Sequence, residues 1–294
     1  MATTIITGTS TGIGYATAVT LARAGHDVFA TMRQPDRAPE LQSIAREEKL
    51  PITILAMDVD HDDSVRIAVQ KVLDARGRID VLVNNAGIGI HGAIEELPLS
   101  EFRRNMETNF FGALRCIQAV VPTMREQRRG CIVNVTSVAG RIASTPQAPY
   151  AASKFALEAA SEVLAQEVKR FNVRVAIVEP GIIETAIFGK LPEISSNTRY
   201  SGERRLLALF RTSLEHPASP FIVGEKIREI VEGDSWQLRY AVGPDAIGFL
   251  QWRSAMTDED WVSWNAIEDD ETWCARVQKD FGLDVRPHLK ALTP

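Results

Sequence analysis

Apolar positions along this chain follow two alternating rhythms. Short runs that are β-branched or continuously apolar fall at residues 3–7, 26–31, 52–57, 79–84, 131–136, 173–179 and 237–242. Each predicts a strand, and the weak alternation within 173–179 is that of a strand covered on both faces. Helical patterns stand between them. After the turn Gly8-Thr9-Ser10-Thr11-Gly12-Ile13-Gly14, residues Ala16, Val19 and Ala22 mark one that Gly25 stops. Others cover 40–48, 64–76, 100–128, 150–170 and 224–232. In the longest, Phe102, Met106, Phe110, Ala113, Ile117, Val120 and Met124 recur at steps of three and four, so one face is buried. Ser100 with Glu101 opens that helix and Gly130 closes it. The alternation predicts an α/β fold, a doubly wound seven-stranded parallel sheet with helices on both faces.

Two stretches break the repeat. Residues 182–220 have no clean period, and a loop of that length in a compact domain reads as a lid or substrate loop. The tail holds four of the five tryptophans, Trp252, Trp261, Trp264 and Trp273, with Thr257 as a helix cap ahead of Asp258, Glu259 and Asp260. The expectation is one domain over 1–244 and a helical extension over 245–294, packed on that domain or on a neighbouring subunit.

Composition narrows the class. With 45% apolar and 24% charged residues the chain reads as an ordinary globular protein. A net charge of −5, arising in a tail with ten acidic and five basic side chains, argues against nucleic acid as a partner. Cys116, Cys131 and Cys274 are odd in number and lack ligand spacing, so a reducing cytoplasm is expected. No run approaches the ~20 apolar residues of a membrane span. His26, His61, His91, His216 and His288 are scattered, and the Asp60, Asp62, Asp63 loop lacks the glycine and glutamate of an EF-hand, so no metal is expected.

The candidate chemistry lies in Pro149-Tyr150-Ala151-Ala152-Ser153-Lys154, where a phenol and an ammonium stand one helical turn apart on one face. Bringing a phenol from its ordinary pKa near ~10 to about 7 takes roughly 4 kcal/mol. An ammonium at ~4 Å supplies about 1 kcal/mol in water but about 4 kcal/mol at an effective dielectric near 20, so the pair needs a sheltered cleft. The glycines, at a strand-to-helix turn, suit a pyrophosphate.

Together these residues resemble the short-chain dehydrogenase/reductase family, whose T-G-x-x-x-G-I-G turn matches Thr7 to Gly14. Asn84-Asn85-Ala86-Gly87, Ser137, Tyr150, Lys154 and Pro180-Gly181 match that family in residue and order, strongly over residues 3 to about 190. The resemblance implies a Rossmann fold and an Asn-Ser-Tyr-Lys tetrad. Tyr150 would be the general acid/base, Ser137 would fix the substrate oxygen, and Lys154 would lower the Tyr150 pKa and hold the nicotinamide ribose. Asn109, in a distorted helical turn with a freed carbonyl, would hold a water linking Lys154 to solvent.

It further implies that Gly8, Thr9, Ser10, Gly12, Ile13 and Gly14 receive the cofactor, with Asn85, Ala86, Gly87 and Pro180. Gly181 would join them, Asp58 and Val59 would contact adenine, and Thr185 and the Ile182 backbone would meet the nicotinamide carboxamide. After the second strand Arg33 stands where an acidic residue would hold a ribose 2′-hydroxyl, which favours NADP(H) over NAD(H).

The expected activity is hydride transfer between nicotinamide and a ketone or secondary alcohol. Ala139, Gly140, Arg141, Ile142 and Ala143, with Ile183, Ile187, Phe188 and Leu191, suggest an apolar pocket. Similarity of the Ala-Thr-Met-Arg and Pro-Gly-Ile-Ile-Glu-Thr stretches to hydroxysteroid and retinol dehydrogenase branches implies a bulky, apolar substrate. A homodimer or homotetramer is expected. Two other readings stay open, a catalytically silent NADP(H)-binding redox sensor and an assembly protein that uses the helices at 100–128 and 150–170 as an interface.

Overall fold

The computed structural model describes residues 1–186 and 198–292. Seven parallel strands, β1 (Thr3–Thr7), β2 (Asp27–Met32), β3 (Ile52–Ala56), β4 (Val81–Asn84), β5 (Gly130–Val135), β6 (Val173–Pro180) and β7 (Arg239–Val242), pair in the order β3-β2-β1-β4-β5-β6-β7. The order reverses between β1 and β4, which opens a crevice at the carboxyl ends of these two strands. β1 meets β2 from Thr3↔Asp27 to Thr7↔Thr31, so both end level at that crevice.

Successive strand side chains point to opposite faces, and each face has its own helices. Ile6, Val81, Val83, Cys131 and Val133 lie under α1 (Gly12–Arg23), α2 (Pro39–Glu47) and α8 (Phe221–Glu232). Their alternates Ile5, Leu82 and Ile132 lie under α3 (Asp62–Arg76), α5 (Gly112–Gln127) and α6 (Ala148–Val168). The strands read as unbroken apolar runs because both faces are covered.

Several expectations need correction. The long helix is two, α4 (Leu99–Met106) and α5, joined by a π turn at Glu107–Phe111 in which Gly112 N–H bonds Glu107 O, five residues back. Gly130 does not close α5. That helix ends at Gln127, with Arg128 in the left-handed region (φ 49°), and Gly130 opens β5. A side chain there would meet Met124 Sδ at 2.6 Å, so the glycine serves packing. The stretch 182–220 contains α7 (Gly202–Ser213), which buries Leu206, Ala208 and Phe210.

Part of what α7 buries belongs to the tail, helices α9 (Ala246–Ser254), α10 (Asp258–Asn265), α11 (Asp270–Phe281) and α12 (Arg286–Lys290). Ala208 packs with Trp273, Cys274, Val277, Val285 and Leu289. The buried Arg205 guanidinium donates to the Ile267 and Glu268 carbonyls and bonds the Asp270 carboxylate. Trp252, Trp261 and Trp264 meet Phe281 or one another edge-on at 4.6–6.0 Å, while Trp261 and Trp264 stack. Thr257 caps α10 through Asp260 N–H. Among the described residues no helix is long and apolar enough to cross a membrane.

Candidate active site

The crevice is built from the turn after β1 and the exit of β4. Thr7 Oγ1 accepts from the backbone N–H of Asn85 and of Ala86, each at 2.9 Å. Asn85 Nδ2 donates back to the Thr7 and Gly8 carbonyls at 2.9 and 3.0 Å, so its side chain holds the glycine turn in shape. Two glycines permit this closeness. A Cβ at Gly8 (φ +70°) would stand 2.7 Å from Ala86 Cα, and one at Gly14 would stand 2.3 Å from Gly8 O and 2.4 Å from Asn85 Nδ2.

The result is a cleft of ≈ 510 Å³ into which the first turn of α1 opens. That size suits a cofactor, and side-chain-free backbone at a helix N-terminus is what a pyrophosphate needs.

Gly8, Ser10, Gly12 and Ile13 line this cleft, as do Asn85, Ala86 and Gly87. At the far end are Arg33, exposed past β2, and Asp58 and Val59 past β3. Asp58 Oδ1 accepts from Asp60 N at 3.1 Å, so part of its carboxylate is used locally. The Val59 carbonyl is taken by Arg115. At the near end are Ser137, Tyr150, Lys154, Pro180, Gly181 and Thr185.

Three predicted cofactor residues have contacts within the fold. Thr9 is fully buried, with Oγ1 bonded to Thr31 O at 3.2 Å, and locks the turn to β2. Gly14 serves the close packing just described. Ile182 N–H is bonded to Asp245 Oδ2 at 2.9 Å.

Asp245 had no sequence signal. Its Oδ1 is buried without a hydrogen-bond partner among the described residues, and a Cβ at Gly181 would meet it at 2.0 Å. Burial pushes its carboxyl above the ordinary aspartate range, against the opposing bond from Ile182.

In the tetrad, Ser137 and Lys154 are 8% and 5% exposed, and Tyr150 opens onto the cleft. Lys154 Nζ donates to Val135 O at 3.0 Å and stands 5.6 Å from the Tyr150 ring centre. Burial pushes the Lys154 ammonium down to about 8, and the nearby Glu158 carboxylate opposes the shift. The Tyr150 phenol is pushed up by burial, and its hydrogen bond with Ser137 pulls the other way. Burial therefore outweighs the Ser137 bond at this phenol.

Asn109 sits buried in the π turn, and its side chain is used within the fold. Its Oδ1 accepts from Ile88 N at 2.8 Å, and Nδ2 donates to Ile88 O at 2.9 Å and Ser153 Oγ at 3.0 Å, which ties the loop after β4 to α6.

Beneath Lys154 lies an acidic pair that sequence reasoning missed. Glu158 bonds Thr136 Oγ1 at 2.6 Å and Arg239 at 3.0 Å, and Glu179 bonds Arg141 at 3.3 Å. Of the expected apolar pocket, Ile183 lines the cleft, Arg141 faces the acids instead, and Ala143 O accepts from Trp261 Nε1 at 3.0 Å. Ile187, Phe188 and Leu191 fall outside the described residues.

The family model described as short chain dehydrogenase matches residues 2–195, and this chain belongs to that family. It is an oxidoreductase acting between CH–OH and C=O with a nicotinamide cofactor. Among its relatives is 3-ketodihydrosphingosine reductase of Bacteroides thetaiotaomicron, 37% identical over 82% of this chain and 87% of the relative. Retinol dehydrogenase 8 of Bos taurus is 40% identical over 74% of this chain and 70% of its own. A solved alcohol dehydrogenase from Thermococcus sibiricus, complexed with 5-hydroxy-NADP, superposes with a TM-score of 0.70 at 25% identity, covering 82% of this chain and 96% of its own.

Proposed function

We propose that this chain is an NADP(H)-dependent ketone reductase or secondary-alcohol dehydrogenase whose substrate is bulky and largely apolar. The observation that carries the reading is the convergence of Ser137, Tyr150 and Lys154 on one cleft with the glycine turn and Arg33. The residue directly after β2 is Arg33 and not a carboxylate, and its guanidinium can pair with a 2′-phosphate. The relative solved with 5-hydroxy-NADP supports the same choice.

Bound nicotinamide dinucleotide supplies hydride exchange at the reacting carbon. The backbone of Gly8 to Gly14 would cradle its pyrophosphate, Asp58 and Val59 its adenine, Lys154 its ribose and Thr185 its carboxamide, with Asn85, Ala86 and Gly87 flanking. Ser137 fixes the substrate oxygen. Tyr150 exchanges a proton with that oxygen, and Asn109 keeps the adjoining loop and α6 in register. Burial favours the protonated phenol, the form that donates to a carbonyl.

Names of relatives that act on a ketosphingoid base and on retinol support a long apolar substrate. A reducing cytoplasm suits three free cysteines. A homodimer or homotetramer suits the exposed Phe111, Phe155 and Val163.

The test is oxidation of NADPH and of NADH with a panel of steroid, retinoid and aromatic ketones, run against Tyr150→Phe. The expected result is NADPH-linked turnover that Tyr150→Phe lowers by about 10²–10⁴-fold with cofactor affinity retained. A silent binding module would bind NADPH and turn over nothing.

A further inference from the structure

One imidazole beside the site has no place in that reaction. His91 sits in the loop after β4, its ring centre 6.1 Å from that of Tyr150 and 6.3 Å from that of Phe210 on α7, which meets it edge-on. Its Nδ1 is buried and has no hydrogen-bond partner among the described residues. The loop holding it is pinned at both ends. Ile88 is bonded through N and O to the Asn109 side chain, and Gly92 N–H donates to Pro146 O at 2.8 Å. A leucine or phenylalanine at 91 would fill the same space between two rings without stripping water from a nitrogen. An unsatisfied polar atom on a rigid mount, against the proposed proton donor, is the mark of a site whose partner arrives with the ligand.

We propose that His91 is a specificity-determining residue that hydrogen-bonds a second polar group of the substrate, a hydroxyl close to the reacting carbon. This rests on the ketone or alcohol activity proposed above and deepens it. The 6.1 Å between rings sets the location: with a substrate oxygen on Tyr150, the part of the molecule within reach of the imidazole is the neighbouring part, not the far end. The chemistry sets the group. Burial holds the imidazole neutral, down to about 4, so a carboxylate or phosphate would find no cation there. A hydroxyl both donates and accepts, and so pairs with either neutral tautomer. The substrate is then an apolar chain or ring system carrying a hydroxyketone or diol at its reacting end.

The test compares two ketones of equal length, one plain and one with a hydroxyl on the carbon next to the carbonyl, using wild type, His91→Phe and His91→Leu. NADPH fluorescence reports that each variant still folds and binds cofactor, and the two variants cover the case in which one does not. Wild type is expected to favour the hydroxyketone in kcat/KM by about tenfold or more, and the folded variant to bring that ratio to about one. A wild-type ratio near one, or a ratio that survives both variants, overturns the inference. If neither ketone is reduced, the proposed function is what fails. Binding of the hydroxyketone, read by tryptophan fluorescence, then decides for His91: weaker binding in the variants upholds it, and equal binding removes it.

Discussion

Asp245 Oδ2 accepts a hydrogen bond from Ile182 N at 2.9 Å, joining the end of β7 to the turn that leaves β6. Its partner oxygen is buried against Gly181, so the carboxyl acts as a wedge that sets the path of the chain beside the Tyr150 end of the cleft.

Asp245→Ala is therefore expected to raise KM for NADPH by about tenfold, from the loss of one hydrogen bond of roughly 1.5 kcal/mol to a charged acceptor. Asp245→Asn, which keeps an acceptor, is expected to stay within about threefold. Steady-state kinetics with varied cofactor distinguish the two, and equal effects would show that shape alone matters. The linkage sign is also fixed. A folded-state carboxyl pKa above the unfolded value means that the native chain binds more protons between the two values, so stability falls as pH rises through that window. Asp245→Asn removes this dependence, which thermal melts across pH 4–7 would show as a flatter profile.

Arg33 is exposed at the cleft rim. Arg33→Ala is expected to lower kcat/KM for NADPH by about 10- to 100-fold, as loss of a charge-assisted pair does, and to leave NADH within about twofold. Parallel assays with both dinucleotides read this directly. An equal fall with both would place Arg33 outside 2′-phosphate recognition.

Glu158 holds the Lys154 ammonium up against burial. Replacing it by glutamine removes that support, so Lys154 should lose its proton at a lower pH still. The alkaline limb of the kcat/KM profile is expected near pH 8 in the wild type and about one unit lower in Glu158→Gln. An unmoved limb would mean that it does not report Lys154. In stability terms the sign opposes that of Asp245. A lowered lysine pKa leaves the unfolded chain binding more protons between about 8 and 10.5, so this group's contribution rises with pH there.

Gly14→Ala is expected to destabilise the chain by about 1–3 kcal/mol, because its methyl would stand 2.3 Å from Gly8 O. Chemical denaturation measures this, and weaker NADPH binding should accompany it. A neutral outcome would show that the Asn85 side chain can step aside without loss.

What could be seen in the sequence was whatever the backbone period or a short local motif dictates. Strand runs such as Val81 to Asn84 and the glycine turn were legible because their neighbours in sequence are their neighbours in space. Chain separation hid the rest. Asp245 and Ile182 meet across 63 residues, and Arg239 joins Glu158 across 81. α7 escaped notice because Ala208 on its apolar face is matched by Trp273 and Val277 far downstream, so the stretch has no period that a strand or a nearby helix would explain. The π turn was visible as an awkward Thr108-Asn109 pair in mid-helix. The choice of Ile88 and Ser153 as partners of Asn109 was not, since it depends on how the loop after β4 meets α6.

The bond from Trp261 Nε1 to Ala143 O ties a helix lying beyond the family-matched stretch to the loop that follows Ser137. α7, which carries Phe210 against His91, also lies past residue 195, where that match ends. Neighbours of the loops that carry Ser137 and His91 are thus supplied from beyond the matched stretch. Substitutions in α7 or α10 can shift those loops while every residue of the glycine turn stays unchanged.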